Sequence, residues 1–131
     1  LLTITHPNDD DLDVYLQAPN GATVELTSDN GGTGDGYVGT LFDDDAATAV
    51  TSGTAPFAGS YRPEQPLSVL NGIPAGGDWT LRVVDDATGN TGTLVGWQLQ
   101  LVIGEPCGPP AVIFSDGFET GDVGGWSQSV P

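Results

Sequence analysis

Lysine is missing from this chain of 131 residues, and Arg62 and Arg82 are its only permanent cations against 18 acids. The formal net charge of −16 repels phosphate backbones and anionic lipid, so nucleic acid and membrane surface are excluded as partners. Methionine is absent, and cysteine occurs once, at Cys107, where no internal disulfide can form. No initiator residue and no signal peptide are present, which reads as a processed product or an excised domain. No apolar run approaches the ~20 residues that span a bilayer. Helical periodicity is missing as well: no stretch of ten places apolar residues at i, i+3, i+4 and i+7.

What is abundant is glycine, proline, threonine and aspartate, the residues of turns and short strands. The fold class is therefore all-β, a jelly-roll-like antiparallel β-sandwich with a strand-like C-terminal tail. The clearest pattern lies in residues 77–101, GDWTLRVVDDATGNTGTLVGWQLQL. In its first arm Trp79, Leu81 and Val83 alternate with Thr80, Arg82 and Val84; in its second, Val95, Trp97, Leu99 and Leu101 alternate with Gly96, Gln98 and Gln100. A period of two is that of half-buried strands, and the polar DDATGNTGT between the arms continues neither, so the stretch reads as two antiparallel strands paired as a hairpin with an acidic loop at one end.

Earlier in the chain, Leu2, Ile4 and His6 alternate, and so do Leu12, Val14 and Leu16 after the acidic turn PNDDD. The turn Ala18-Pro19-Asn20-Gly21 predicts a hairpin returning through Val24 and Leu26. The glycine-rich stretch 28–39 reads as a surface loop, and 46–51 as a strand of small residues. Residues 52–76 read as a long connection, pinned by Phe57, Tyr61, Leu67 and Leu70 and carrying a short helical turn at 66–70. Three domain-level segments follow: a sandwich over 1–103, a proline-rich linker GEPCGPP over 104–110, and a tail over 111–131 with one apolar run, AVIF.

Aspartate is the notable chemistry. Three clusters sit at strand-to-loop transitions: Asp9, Asp10, Asp11 and Asp13; Asp43, Asp44 and Asp45; Asp85 and Asp86. Calcium takes six to eight oxygens, and carboxylates this dense are costly to assemble without a counter-ion. Asp116, Glu119 and Asp122 form a weaker candidate in the tail. An EF-hand is excluded: counting from Asp9, the sixth and twelfth positions hold Val14 and Asn20 where Gly and Glu are needed. His6 stands alone, with no nucleophile elbow to make it catalytic. Trp79, Trp97, Phe42 and Tyr15 read as core, and both arginines as partners of carboxylates.

The segments ITHPNDDDLDVYLQAPNG, LFDDDA, PFAGSYRPEQPLSVLNG and GDWTLRVVDDATGNTGTLVGWQLQL, in that order, resemble the P domain (Homo B domain) of subtilisin/kexin-type proprotein convertases, in the form found in bacterial secreted proteases. The tail IFSDGFETGDVGGWS is similar to short segments that end bacterial secreted proteins and to the opening strand of some lectin jelly rolls. The resemblance implies a non-catalytic, secreted, calcium-stabilised module that supports a protease or other domain of the same precursor. It also implies that Asp11, Asp44 and Asp85 converge on one calcium site. Melting should then fall by several degrees on chelation, with Asp44→Ala removing most of the response. A second reading is a filament-type extracellular subunit that associates with copies of itself, the tail strand of one filling an open sheet edge of the next.

Overall fold

A computed structural model of the chain describes residues 1–103, and these build seven strands in two layers. They are β1 (Leu2–Thr5), β2 (Leu12–Gln17), β3 (Thr23–Ser28), β4 (Tyr37–Phe42), β5 (Phe57–Tyr61), β6 (Thr80–Asp85) and β7 (Thr93–Trp97). One sheet has the order β5-β4-β1-β7 and the other β3-β2-β6. The predicted all-β sandwich is what the chain forms. No helix among the described residues is long and apolar enough to cross a membrane.

Alternation sets the inner faces. Leu2 and Ile4 of β1, Leu12, Val14 and Leu16 of β2, and Val24 and Leu26 of β3 are all buried, each within one period-two row. The β2–β3 hairpin closes where the Asn-Gly turn predicts, with Gln17 opposite Thr23 and the Gly21 N–H donating to the Ala18 carbonyl. From β4 and beyond come Tyr37, Val50, Phe57 and Leu70. Tyr37 and Phe57 stack with centroids 4.9 Å apart, and Tyr61 meets Phe57 edge-on at 5.4 Å. The Tyr37 hydroxyl and Thr27 Oγ1 lie 3.2 Å apart, which ties β4 to β3 across the two layers.

Four local expectations are corrected. The two arms of residues 77–101 are not partners: β6 pairs with β2 and β7 with β1, so the loop between them crosses from one sheet to the other. The stretch 46–51 forms no strand, only a bridge from Ala49 to Arg62 that leads into a 3-10 turn at Val50–Ser52. The long connection contains β5, which runs parallel to β4, so the sandwich is not wholly antiparallel. A register shift in the β1–β7 pair leaves Val95 without an opposite residue. Leu94 and Trp97 thereby fall on the inner row, opposite Ile4 and Leu2, and the simple alternation of Val95 with Trp97 is broken. The predicted helical turn exists, as a 3-10 turn at Leu67–Leu70. The linker 104–110, Cys107 and the tail 111–131 lie outside the described residues.

Candidate metal centre

Antiparallel pairing decides which turns meet. β1 ends where β2 and β7 begin and where β3 and β6 end, so the turns carrying residues 6–13, 29 and 85–86 share one rim of the sandwich. Two groups of side chains come together there, each with ligand atoms within 4.8 Å of one another.

The first is His6, Asp11 and Asp85. Nδ1 of His6 accepts the Asn8 backbone N–H at 3.1 Å, which leaves Nε2 to donate to Asp85 Oδ2 at 3.1 Å. Asp11, buried, accepts from the Asn8 side-chain amide at 2.5 Å, and its carbonyl accepts the Asp86 N–H at 2.9 Å. Gly92 is held here by sterics, since a Cβ would collide with the Thr5 carbonyl and the His6 ring. The network is already linked by its own hydrogen bonds and includes a nitrogen, which a hard cation such as calcium does not favour.

The second group is Asp13, Asp29 and Asp86, on the outer face of the β3-β2-β6 sheet. All three donors are carboxylates. Asp13 Oδ1 is shielded from solvent and has no hydrogen-bond partner among the described residues. Desolvation raises the pKa of Asp13, and the charges of Asp29 and Asp86 add to the rise. Asp29 is raised likewise, by desolvation first and then by Asp86 and Asp10. Asp29 and Asp86 are exposed and Asp13 half-buried, so this is an open, oxygen-only cluster whose donors are of the type a hard divalent cation takes.

The other predicted ligands are placed differently. Asp9 is fully buried beneath the glycine-rich loop, its Oδ1 accepting the Gly36 N–H at 2.9 Å while Oδ2 has no partner among the described residues. Burial drives its pKa up to about 6, against the lowering effect of the Gly36 bond and of His6. Asp10 accepts the Gly32 N–H at 2.8 Å. Asp44 belongs to neither group. Because β4 runs antiparallel to β1, residues 43–45 emerge at the opposite rim, about 20 Å of strand away. There Asp44 accepts the N–H groups of Leu67 and Ser68 at 2.7 and 2.9 Å, capping that 3-10 turn. Asp43 accepts the Asp45 N–H at 2.9 Å. Asp116, Glu119 and Asp122 fall outside the described residues.

Among the described residues, neither arginine meets the carboxylate expected of it. Arg82 lies 4.2 Å over the Tyr15 ring on the outer face, which removes Tyr15 from the core. Arg62 donates to the carbonyls of Ala46 and Ala47. Asp29 was missed in the sequence reading, yet a signal was there. Counting outward from the Asn-Gly turn brings the end of β3 beside Asp13, and the bulge between Val14 and Tyr15 sets Ser28 opposite it. Asp29, at φ 49° in the left-handed region that Asp tolerates, then turns back toward the same spot.

A search of curated proteins and one of solved structures returned no match. The family model for the proprotein convertase P-domain matches residues 1–101, which is the whole of the described sandwich but its last two residues. With a two-sheet fold beneath that match, this chain belongs to the proprotein convertase P-domain family, a family of non-catalytic accessory domains that accompany a protease.

Proposed function

We propose that this chain is a calcium-stabilised P-domain module of a secreted precursor, supporting the stability of a protease domain carried by the same polypeptide. The observation that carries the calcium reading is the Asp13–Asp29–Asp86 group, with its shielded and unpartnered Asp13 oxygen. Calcium would supply the positive charge that relieves this crowding and would tie the β3 exit, the β2 start and the β6 exit together. Asp13, Asp29 and Asp86 would hold it. The His6–Asp11–Asp85 network positions the neighbouring turns by hydrogen bonds of its own. The lysine-free, strongly acidic composition supports an extracellular setting, where millimolar calcium fills weak sites.

Thermal melting with and without calcium tests the metal. Chelation is expected to lower the midpoint by about 5 °C or more. Asp86→Asn is expected to abolish that difference, whereas Asp44→Ala lowers the midpoint at every calcium concentration and leaves the difference intact. An unchanged midpoint on chelation overturns the calcium reading. The accessory role is tested by the coding sequence upstream of residue 1, where a subtilisin-type protease domain is expected.

A further inference from the structure

The two long sides of the sandwich are finished differently. On the side formed by β3, β4 and β5, Glu64 and Gln65 lie along the outer edge of β3: their N–H groups donate to the carbonyls of Leu26 and Glu25, and their side chains accept the N–H groups of Ser28 and Glu25. On the side formed by β6 and β7, the outer edge of β7 has no hydrogen-bond partner among the described residues. Its inner row is also uncovered. Leu94 and Trp97 are 43% and 39% exposed, although Ile4 and Leu2 opposite them are 2% and 3%. Across the layer gap, Leu81 and Val83 of β6 are only partly buried.

Sheet edges of this kind are usually blunted by lysine, proline, an inward charge or a covering segment. The β7 sequence, Thr-Leu-Val-Gly-Trp, has no lysine, proline or charge, no described segment covers it and its one irregularity is the bulge at Val95, whereas the edge strand β6 carries Arg82 and Asp85. Such an edge pairs with an extended apolar segment. The sequence offers one beyond the described residues, AVIF at 111–114, uncharged in a chain of net charge −16. Docking two β7 edges directly would press two strongly anionic molecules together, whereas an uncharged strand on a tether adds no like charge at the contact. The tether favours a neighbour. A linker such as GEPCGPP, with Pro106, Pro109 and Pro110, prefers extended backbone and spans about 20 Å. That length reaches either edge; what disfavours the chain's own β7 is the pair of consecutive prolines, which opposes a tight reversal just before Ala111.

We infer that the open edge of β7, with Leu94 and Trp97 beside it, receives residues 111–114 of a second copy of this chain as an added β-strand. The contact is heterologous, since each copy offers one edge and one strand, and it extends to open chains or closes into rings.

The test uses the full 131-residue chain, measured by size-exclusion chromatography with light scattering at about 100 μM. Masses of two or more copies are expected. Val112→Pro, which blocks the strand, and Leu94→Asp, which blocks the edge, should each give a monomer, and mixing the two variants should restore a 1:1 species of twice the monomer mass. Circular dichroism and melting of each variant alone establish that it is folded. Should Leu94→Asp fail to fold, a synthetic peptide of residues 109–116, expected to dissociate the unmodified chain into monomers, takes its place. A monomeric unmodified chain overturns the proposal, and so does an assembly indifferent to Val112→Pro. A monomer whose midpoint falls with Val112→Pro also overturns it, by showing the strand on its own sandwich.

Discussion

The β3 edge and the β7 edge belong to one small sandwich, and one is sealed while the other is not. At β3 the chain returns through residues 64–65 and satisfies the backbone groups, while Tyr37, Phe57 and Leu70 close the interior behind it. At β7 no segment among the described residues returns, and the inner row ends in two large apolar side chains in partial contact with water. The difference shows that a strand's alternation specifies which way its side chains point but not whether anything covers them. Coverage comes from a separate stretch of chain.

That contrast can be broken or sharpened by substitution. The largest effect is expected at Phe57→Ala, which empties the middle of the closed side and should cost about 3–5 kcal/mol in urea unfolding. Trp97→Ala in the isolated monomer should cost only about 1 kcal/mol, because much of the ring is already in water. Equal losses at the two sites would mean that the β7 side is covered too, and would erase the distinction.

Next comes Asp9, wedged beside Phe57 under Gly31. Its native pKa of about 6 stands above the ordinary 3.8, so the folded state holds the proton more tightly than the unfolded one. The resulting cost is absent below about pH 4, grows as pH rises to about 6, and is complete above it. Asp9→Asn, whose amide oxygen still accepts the Gly36 N–H, should match the parent near pH 4 and exceed it by on the order of 2 kcal/mol at pH 8. Parallel stability–pH curves for the two proteins would refute this.

Smaller again is Glu64→Ala, which removes the acceptor of the Ser28 and Asn30 donors and loosens the β3 edge at Ser28 while its backbone bonds remain, at about 1 kcal/mol. Exchange of the Ser28 amide proton with solvent should accelerate with it. The smallest effect is expected from Arg82→Ala, which strips the guanidinium from the Tyr15 ring on an outer face and should shift the midpoint by about 2 °C or less.

Most of the strand content was legible because burial on one face leaves a period of two, as in Leu12, Val14 and Leu16, and because Asn-Gly announces its turn. β5 was not legible. Phe-Ala-Gly-Ser-Tyr has small residues between its aromatics and no alternation to betray it, and it becomes a strand only because β4 lies alongside. The candidate site was half legible. Clusters of aspartate at strand ends mark rims, but the sequence does not say which rim. Asp44 looked equivalent to Asp11 and Asp85 until the direction of β4 carried it to the far end. Asp29 looked like part of a glycine loop until the β2–β3 bulge turned it onto Asp13 and Asp86.

By itself, then, the sequence determined the all-β class, the buried rows of β1 to β3, the hairpin at Asn20-Gly21 and the anionic character of the surface, since each follows from local pattern or from composition. Only the tertiary structure decided the assignment of β6 and β7 to different sheets, the company each aspartate keeps, and the open β7 edge. Those depend on strand direction, register and long-range pairing, which bring together residues that the local pattern of the chain does not relate.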